Sequence, residues 1–281
     1  MNGGEAMNVE QAVALHYAHG SLEETIMDAL VAAGKDPSRL TPRDLSPVDE
    51  FHVGGRLATV AFAEQFGPRP GMRLLDIGCG LGGAARYFAQ EHGCRVTGID
   101  LSPEYVNVTN ALAARVGLDE SVSCELGSAL ALPFEPESFD GAYMFHVGMN
   151  IENKSKLFAE VHRVLVPSGL YGIYDVMRLA AGDLSFPVPW ASGPESSFVA
   201  DAASYRRLLE AAGFEVLKER NRRDFALEVF AQMRARAAGA GPGLLGLHLV
   251  MGANTALKVR NMIGDISAGL IAPTEMICRA V

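Results

Sequence analysis

The run Leu74-Leu75-Asp76-Ile77-Gly78-Cys79-Gly80-Leu81-Gly82-Gly83 puts a carboxylate two residues before a glycine turn, and Asp100 closes the next apolar run. Glycine lacks Cβ and enters positive φ, so Gly78-x-Gly80 after an apolar strand brings backbone against a ligand. The spacing by itself also suits a dinucleotide, with Asp100 on a ribose diol. Asp76 separates the two readings. Its carboxylate would repel diphosphate at short range, whereas an adenosyl ligand bearing an ammonium and a sulfonium, and no phosphate, is attracted. A sulfonium methyl is already activated. The chemistry expected is therefore alignment of an acceptor with that methyl and exclusion of water, with no nucleophilic side chain or metal required.

Such residues need strands that end along one edge. Between 72 and about 177 the sequence alternates: strand 73–77, helix 83–91, strand 94–99, helix 103–116, strand 121–126, a short helix, strand 139–145, helix 153–165 and strand 169–176. This predicts a parallel sheet with helices on both faces. Ser102-Pro103 reads as a helix cap with proline at the first helical position. Residues 8–35 read as helical with a break near Gly20, residues 36–55 as loop because of Pro37, Pro42 and Pro47, and 56–66 as helix. Gly67-Pro68-Arg69-Pro70-Gly71 then marks a boundary, giving a helical lid over 1–70 and a larger domain over 71–281. After a long connection the sequence predicts helix 201–212, strand 214–220, helix 224–238, a flexible stretch at Gly239–Gly246, helix 247–262 and a last strand at about 271–280. The segment at about 225–265 is expected to cap a pocket.

The chain has 281 residues and a net charge of −9, which argues against a nucleic-acid backbone as partner and favours a small molecule. Cys79, Cys94, Cys124 and Cys278 form no C-x-x-C pair and lie in apolar runs, so buried free thiols are expected. No basic-then-apolar leader and no run of membrane-spanning length is present. The expectation is a cytoplasmic protein off the membrane, with a homodimer as a possible assembly.

The turn at 76–83, Asp100, the segment Leu132-Pro133-Phe134 with Ser138-Phe139-Asp140, and the helix and turn from Phe158 to Gly169 together resemble the class I S-adenosylmethionine-dependent methyltransferases over about residues 70–220. The resemblance implies an α/β, Rossmann-like, doubly wound and mostly parallel seven-stranded sheet whose last strand runs antiparallel, with S-adenosylmethionine over the carboxyl ends of the first strands. Within that family, His16-Tyr17, Asp49 to Gly55 and His146-Val147-Gly148-Met149-Asn150 are similar to sarcosine and dimethylglycine N-methyltransferase-like proteins. Where related enzymes often carry an acidic residue near the adenine amino group, this chain has Ser128-Ala129.

Under that reading Gly78, Gly80 and Gly82 line the methionine part, Asp76 holds the ammonium directly or through water, Asp100 accepts the ribose hydroxyls, Leu101 packs on adenine, and Ser128 and Ala129 flank it. His146 is placed to orient or deprotonate an acceptor. His52 and Tyr17 are candidates for a catalytic lid, and Met149, Asn150, Trp190 and His248 for the acceptor pocket, Trp190 offering its ring face to a cation or ring. No metal site is expected. The function expected is methyl transfer to a small molecule, most readily to nitrogen. The alternatives are an NAD(P)-dependent oxidoreductase, or a protein that binds the cofactor without methyl transfer.

Overall fold

The computed structural model describes residues 9–16, 20–240, 245–252 and 254–281. Among the described residues four helices come first: α1 (Val9–His16), α2 (Leu22–Ala32), α3 (Pro42–Asp49) and α4 (Gly55–Phe66). There follow β1 (Arg73–Ile77), α5 (Gly83–His92), β2 (Arg95–Asp100), α6 (Pro103–Arg115), β3 (Val122–Leu126), β4 (Phe139–Phe145), α7 (Lys154–Val164) and β5 (Leu165–Arg178). The chain ends with α8 (Ala202–Ala211), β6 (Phe214–Asn221), α9 (Arg223–Ala240), α10 (His248–Met251), α11 (Thr255–Ser267) and β7 (Ile271–Ala280).

The strands form one seven-stranded sheet in the order β3-β2-β1-β4-β5-β7-β6. β1 to β5 are parallel, and β7 runs antiparallel between β5 and β6. Helices bury both faces of the sheet, and consecutive residues of β1 serve opposite cores. Leu75 and Ile77 pack with Met144, Phe158 and Tyr171, whereas Leu74 packs with Phe62, Phe66, Phe88 and Tyr143. Strand order reverses between β1 and β4, and at such a switch point the carboxyl ends leave a crevice for a ligand.

Two further cores cover that edge. Leu22, Ile26, Leu30, Leu45 and Val48 from the first helices pack on Tyr105, Val108 and Leu112 of α6 and on Val250. Trp190, Phe230, Met262 and Ile266 form the other.

Several local readings change. Residues 36–55 are not all loop, because Pro42 occupies the first turn of α3, where its missing N–H is not needed, and Thr41 and Asp44 form a capping box. No helix separates β3 from β4; the link holds only a bridge between Ser128 and Ala131. The helix expected at 247–262 divides at Gly252, whose φ of 73° and ψ of −166° stop α10 before α11 begins. Helix α9 continues through Ala240, past the start of the stretch read as flexible. All four cysteines are buried and free. Among the described residues no helix is long and apolar enough to cross a membrane.

Candidate active site

Chain direction reverses at Gly78, in the left-handed region at φ 66°, and a Cβ there would lie 2.5 Å from Val147. Only glycine satisfies both the conformation and the close approach. The Gly78 and Cys79 amides donate to the Ile99 carbonyl at 2.8 and 3.1 Å, which ties the turn to β2. Asp100 then joins them: its Oδ2 accepts from the Gly80 amide at 3.0 Å and its Oδ1 from Ser102 at 2.9 Å. Burial nevertheless raises its carboxyl to about 6.

A cavity of about 250 Å³ opens above this floor, walled by Gly78, Gly80, Asp100, Leu101, Ala129 and His146 among others. These six are sequence-predicted residues brought to one place. Gly82 is not on the wall; at φ 73° it turns the chain into α5.

Asp76 is also off the wall. It lies behind the turn with 3% of its surface exposed, and Oδ2 accepts the Tyr143 hydroxyl at 3.0 Å. Burial pushes its carboxyl up to about 8. The standing negative charge inferred from sequence is therefore corrected to a carboxyl that is mostly neutral at pH 7 until a cation is near. Ser128 is likewise not on the wall; its Oγ donates to Oε1 of Glu10 on α1, and Glu10 itself reaches the wall. No local signal in the sequence links two residues so far apart.

His146 follows β4 in the left-handed region at φ 57°. A non-glycine residue held there stores roughly 1–3 kcal/mol of strain. The surroundings impose it. The His146 amide donates to the Tyr174 carbonyl at 2.8 Å, and the amides of Val147 and Gly148 donate to Asp175 Oδ1 at 2.9 and 3.3 Å. Asp175 is fixed in turn by the Tyr205 hydroxyl at 2.8 Å. Burial, and secondarily His52, depress the His146 pKa well below the ordinary histidine value, so the ring is neutral. Its Nε2 is buried with no hydrogen-bond partner.

His52 does not line this space. Its ring sits behind, 6.2 Å from that of His146 and 4.8 Å from that of Phe145. Nε2–H donates to the Gly55 carbonyl at 3.0 Å and meets Thr59 Oγ1 at 2.9 Å, while Thr59 donates to buried Glu50. This sets the His52 tautomer, and burial lowers its pKa to about 4. His52 thus stands behind the cavity wall and not on it, unlike the lid position expected from the sequence. Phe51 reaches the cavity instead. Tyr17 lies outside the described residues.

Beyond His146 a smaller space of about 40 Å³ continues between Phe51, Tyr105, Met149, Trp190, Met251 and Lys258. Met149 and Trp190, both singled out from the sequence, line this space. Asn150 stands on the wall of the larger cavity, where its Nδ2 donates to the Trp190 carbonyl at 2.7 Å and so positions that loop. His248 is exposed on α10 and is not part of either wall. Sequence reasoning missed Glu10, Phe51, Tyr105 and Lys258, because each reaches the site from an element packed onto the sheet edge.

Residues 75–173 match a family model described as a methyltransferase domain. The chain is 29% identical over 163 residues to sterol 24-C-methyltransferase ERG6B of Gibberella zeae, a match covering 55% of this chain and 42% of that protein. The matched part is thus under half the length of that relative. Geranyl diphosphate C-methyltransferase from Streptomyces coelicolor A3(2) superimposes with a TM-score of 0.71 at 16% identity, covering 99% of this chain and 100% of that one. Haemonchus contortus phosphoethanolamine N-methyltransferase 2 gives a TM-score of 0.70 at 20% identity, covering 95% of this chain and 59% of that one. The stretch that matches a methyltransferase domain thus runs from β1 into β5 and holds the glycine turn, Asp100 and His146, within a sheet of the order given above.

Proposed function

We propose that this chain transfers the methyl group of S-adenosylmethionine to a small-molecule acceptor held between His146 and Trp190. The observation that carries this reading is His146: a neutral, buried ring with a partnerless Nε2, on the wall shared by the two cavities. S-adenosylmethionine supplies a methyl group activated by its sulfonium. The residues of the chain do the rest. Asp100, held open by the Gly80 and Ser102 amides, receives the ribose hydroxyls, and Leu101 and Ala129 pack on the adenine. Glu10 offers its carboxylate to the adenine amino group in place of the acid that Ser128 lacks. Asp76 acts on the ammonium through water, from behind the turn. His146 orients the acceptor atom and takes its proton at Nε2, at neutral pH and without first losing a proton of its own.

The lid over 1–70 and the insertion at about 225–265 exclude water from the pocket. Nitrogen is the acceptor atom favoured by the resemblance in residues 49–55 and 146–150. A carbon acceptor is the second reading, favoured by the apolar walls of the smaller space and by the carbon-methylating relatives. Incubation with methyl-labelled S-adenosylmethionine and a panel of amines and unsaturated metabolites tests both. Label moving to nitrogen or carbon of one acceptor decides the atom, and NADH binding without S-adenosylhomocysteine binding overturns the reading.

A further inference from the structure

Lys258 stands out in the smaller space because it is a cation among apolar walls. Its neighbours there include Phe51, Met149, Trp190, Val250 and Met251. Its Nζ donates one hydrogen bond, to the Met251 carbonyl at 3.2 Å, which leaves two N–H groups of the ammonium for another partner. Among the described residues no carboxylate pairs with it, and burial alone accounts for the lowering of its pKa from the ordinary lysine value. An ammonium half withdrawn from water without a counter-ion is unfavourable, and a ligand anion that completes the pair reverses this.

Resting on the methyl-transfer reading above, we propose that the acceptor is an apolar molecule carrying one carboxylate, which pairs with Lys258 while the apolar body packs on Trp190 and Met149. The charge count selects the anion. Among the described residues Lys258 is the one cationic side chain on this wall, so a single negative charge is matched, whereas a phosphate at about −1.5 to −2 is left short of charge. The arrangement also sets geometry, since the carboxylate end lies at Lys258 and the methylated atom at His146.

Trp190 is the only tryptophan of the chain, so its emission reports occupancy of this space. The full chain, saturated with S-adenosylhomocysteine, is titrated with pentanoate, pentanol and pentyl phosphate. Pentanoate is expected to bind about tenfold more tightly than either of the others, the scale of a partly desolvated ion pair. In Lys258→Met that preference disappears while pentanol and S-adenosylhomocysteine bind as before, and Lys258→Arg retains it. Equal binding of pentanoate and pentanol to the natural chain, or a carboxylate preference that survives in Lys258→Met, overturns the proposal. S-adenosylhomocysteine binding is measured first: its failure overturns the methyl-transfer reading and this one with it, whereas cofactor binding with no carboxylate preference overturns the Lys258 assignment alone.

Discussion

At the residue scale, His146 joins strain, burial and a partnerless nitrogen in one side chain. Replacing it by asparagine, which tolerates the left-handed region, is expected to lower kcat by about 100-fold, the scale of a lost general base. Affinity for S-adenosylhomocysteine should stay close to that of the natural chain, and calorimetry beside steady-state kinetics reads the two separately. The pH behaviour follows from which groups are displaced. His146 lies well below the usual histidine range and His52 at about 4, so neither places an inflection near pH 6.5. Asp76 does place one. Its carboxyl is protonated below about 8 in the free protein, and a neighbouring ammonium lowers that value, so binding releases a proton. Affinity for S-adenosylhomocysteine should therefore rise with pH up to about 8 and then level, with proton release measured by calorimetry in buffers of different ionisation enthalpy. Asp76→Asn should flatten the profile, and a flat profile in the natural chain would contradict the role given to Asp76. The glycine turn, Asp100 and His146 were legible in the sequence because a strand end, a turn and a helix start are local patterns. The protonation of Asp76 was not, since it depends on Tyr143 and on the burial that folding creates.

At the scale of elements, the first helices act through single polar contacts. Glu10→Ala should weaken S-adenosylhomocysteine binding about tenfold, the worth of one charge-assisted hydrogen bond. S-inosylhomocysteine, with an oxo group replacing the adenine amino group, should show the same loss on the natural chain and no further loss on the variant. Equal affinity for both nucleosides in the natural chain would sink the Glu10 contact. Helix α3 is tied to α5 by a buried ion pair, Arg86 Nη2 to Asp49 Oδ2 at 2.6 Å, and the same nitrogen also donates to the Leu81 carbonyl beside the glycine turn. Asp49→Ala strands the guanidinium and is expected to cost about 3–5 kcal/mol in chemical denaturation. A cost under about 1 kcal/mol would mean that the pair behaves like an exposed one. Helix α3 was illegible because Pro42 and Pro47 read as loop signals, although Pro42 at the first helical turn is a helix-starting residue. Short apolar runs alternating with helical patterns gave the sheet and its helices, since those depend on local burial alone.

At the scale of the whole molecule, folding buries several carboxyls. Burial raises Glu50 to about 7, Asp76 to about 8, and Asp100 and Asp175 to about 6. Each folded value exceeds the unfolded one, so folding takes up protons, and the stability contributed by these groups is full below about pH 4 and is lost as pH rises toward 8. The apo protein should therefore show a thermal midpoint that declines between pH 5 and pH 8, with S-adenosylhomocysteine restoring more of it at the upper end, as thermal scans across that range would show. How the first helices pack over the edge could not be read from the sequence, because contacts such as Glu10 with Ser128 join residues whose separation no periodic pattern encodes. The central claim is that the crevice between β1 and β4 binds an adenosyl sulfonium cofactor. Calorimetric titration of the full chain tests it most directly: S-adenosylhomocysteine should bind with one-to-one stoichiometry, and Asp100→Ala should abolish the heat. Heat with NADH and none with S-adenosylhomocysteine would contradict the account.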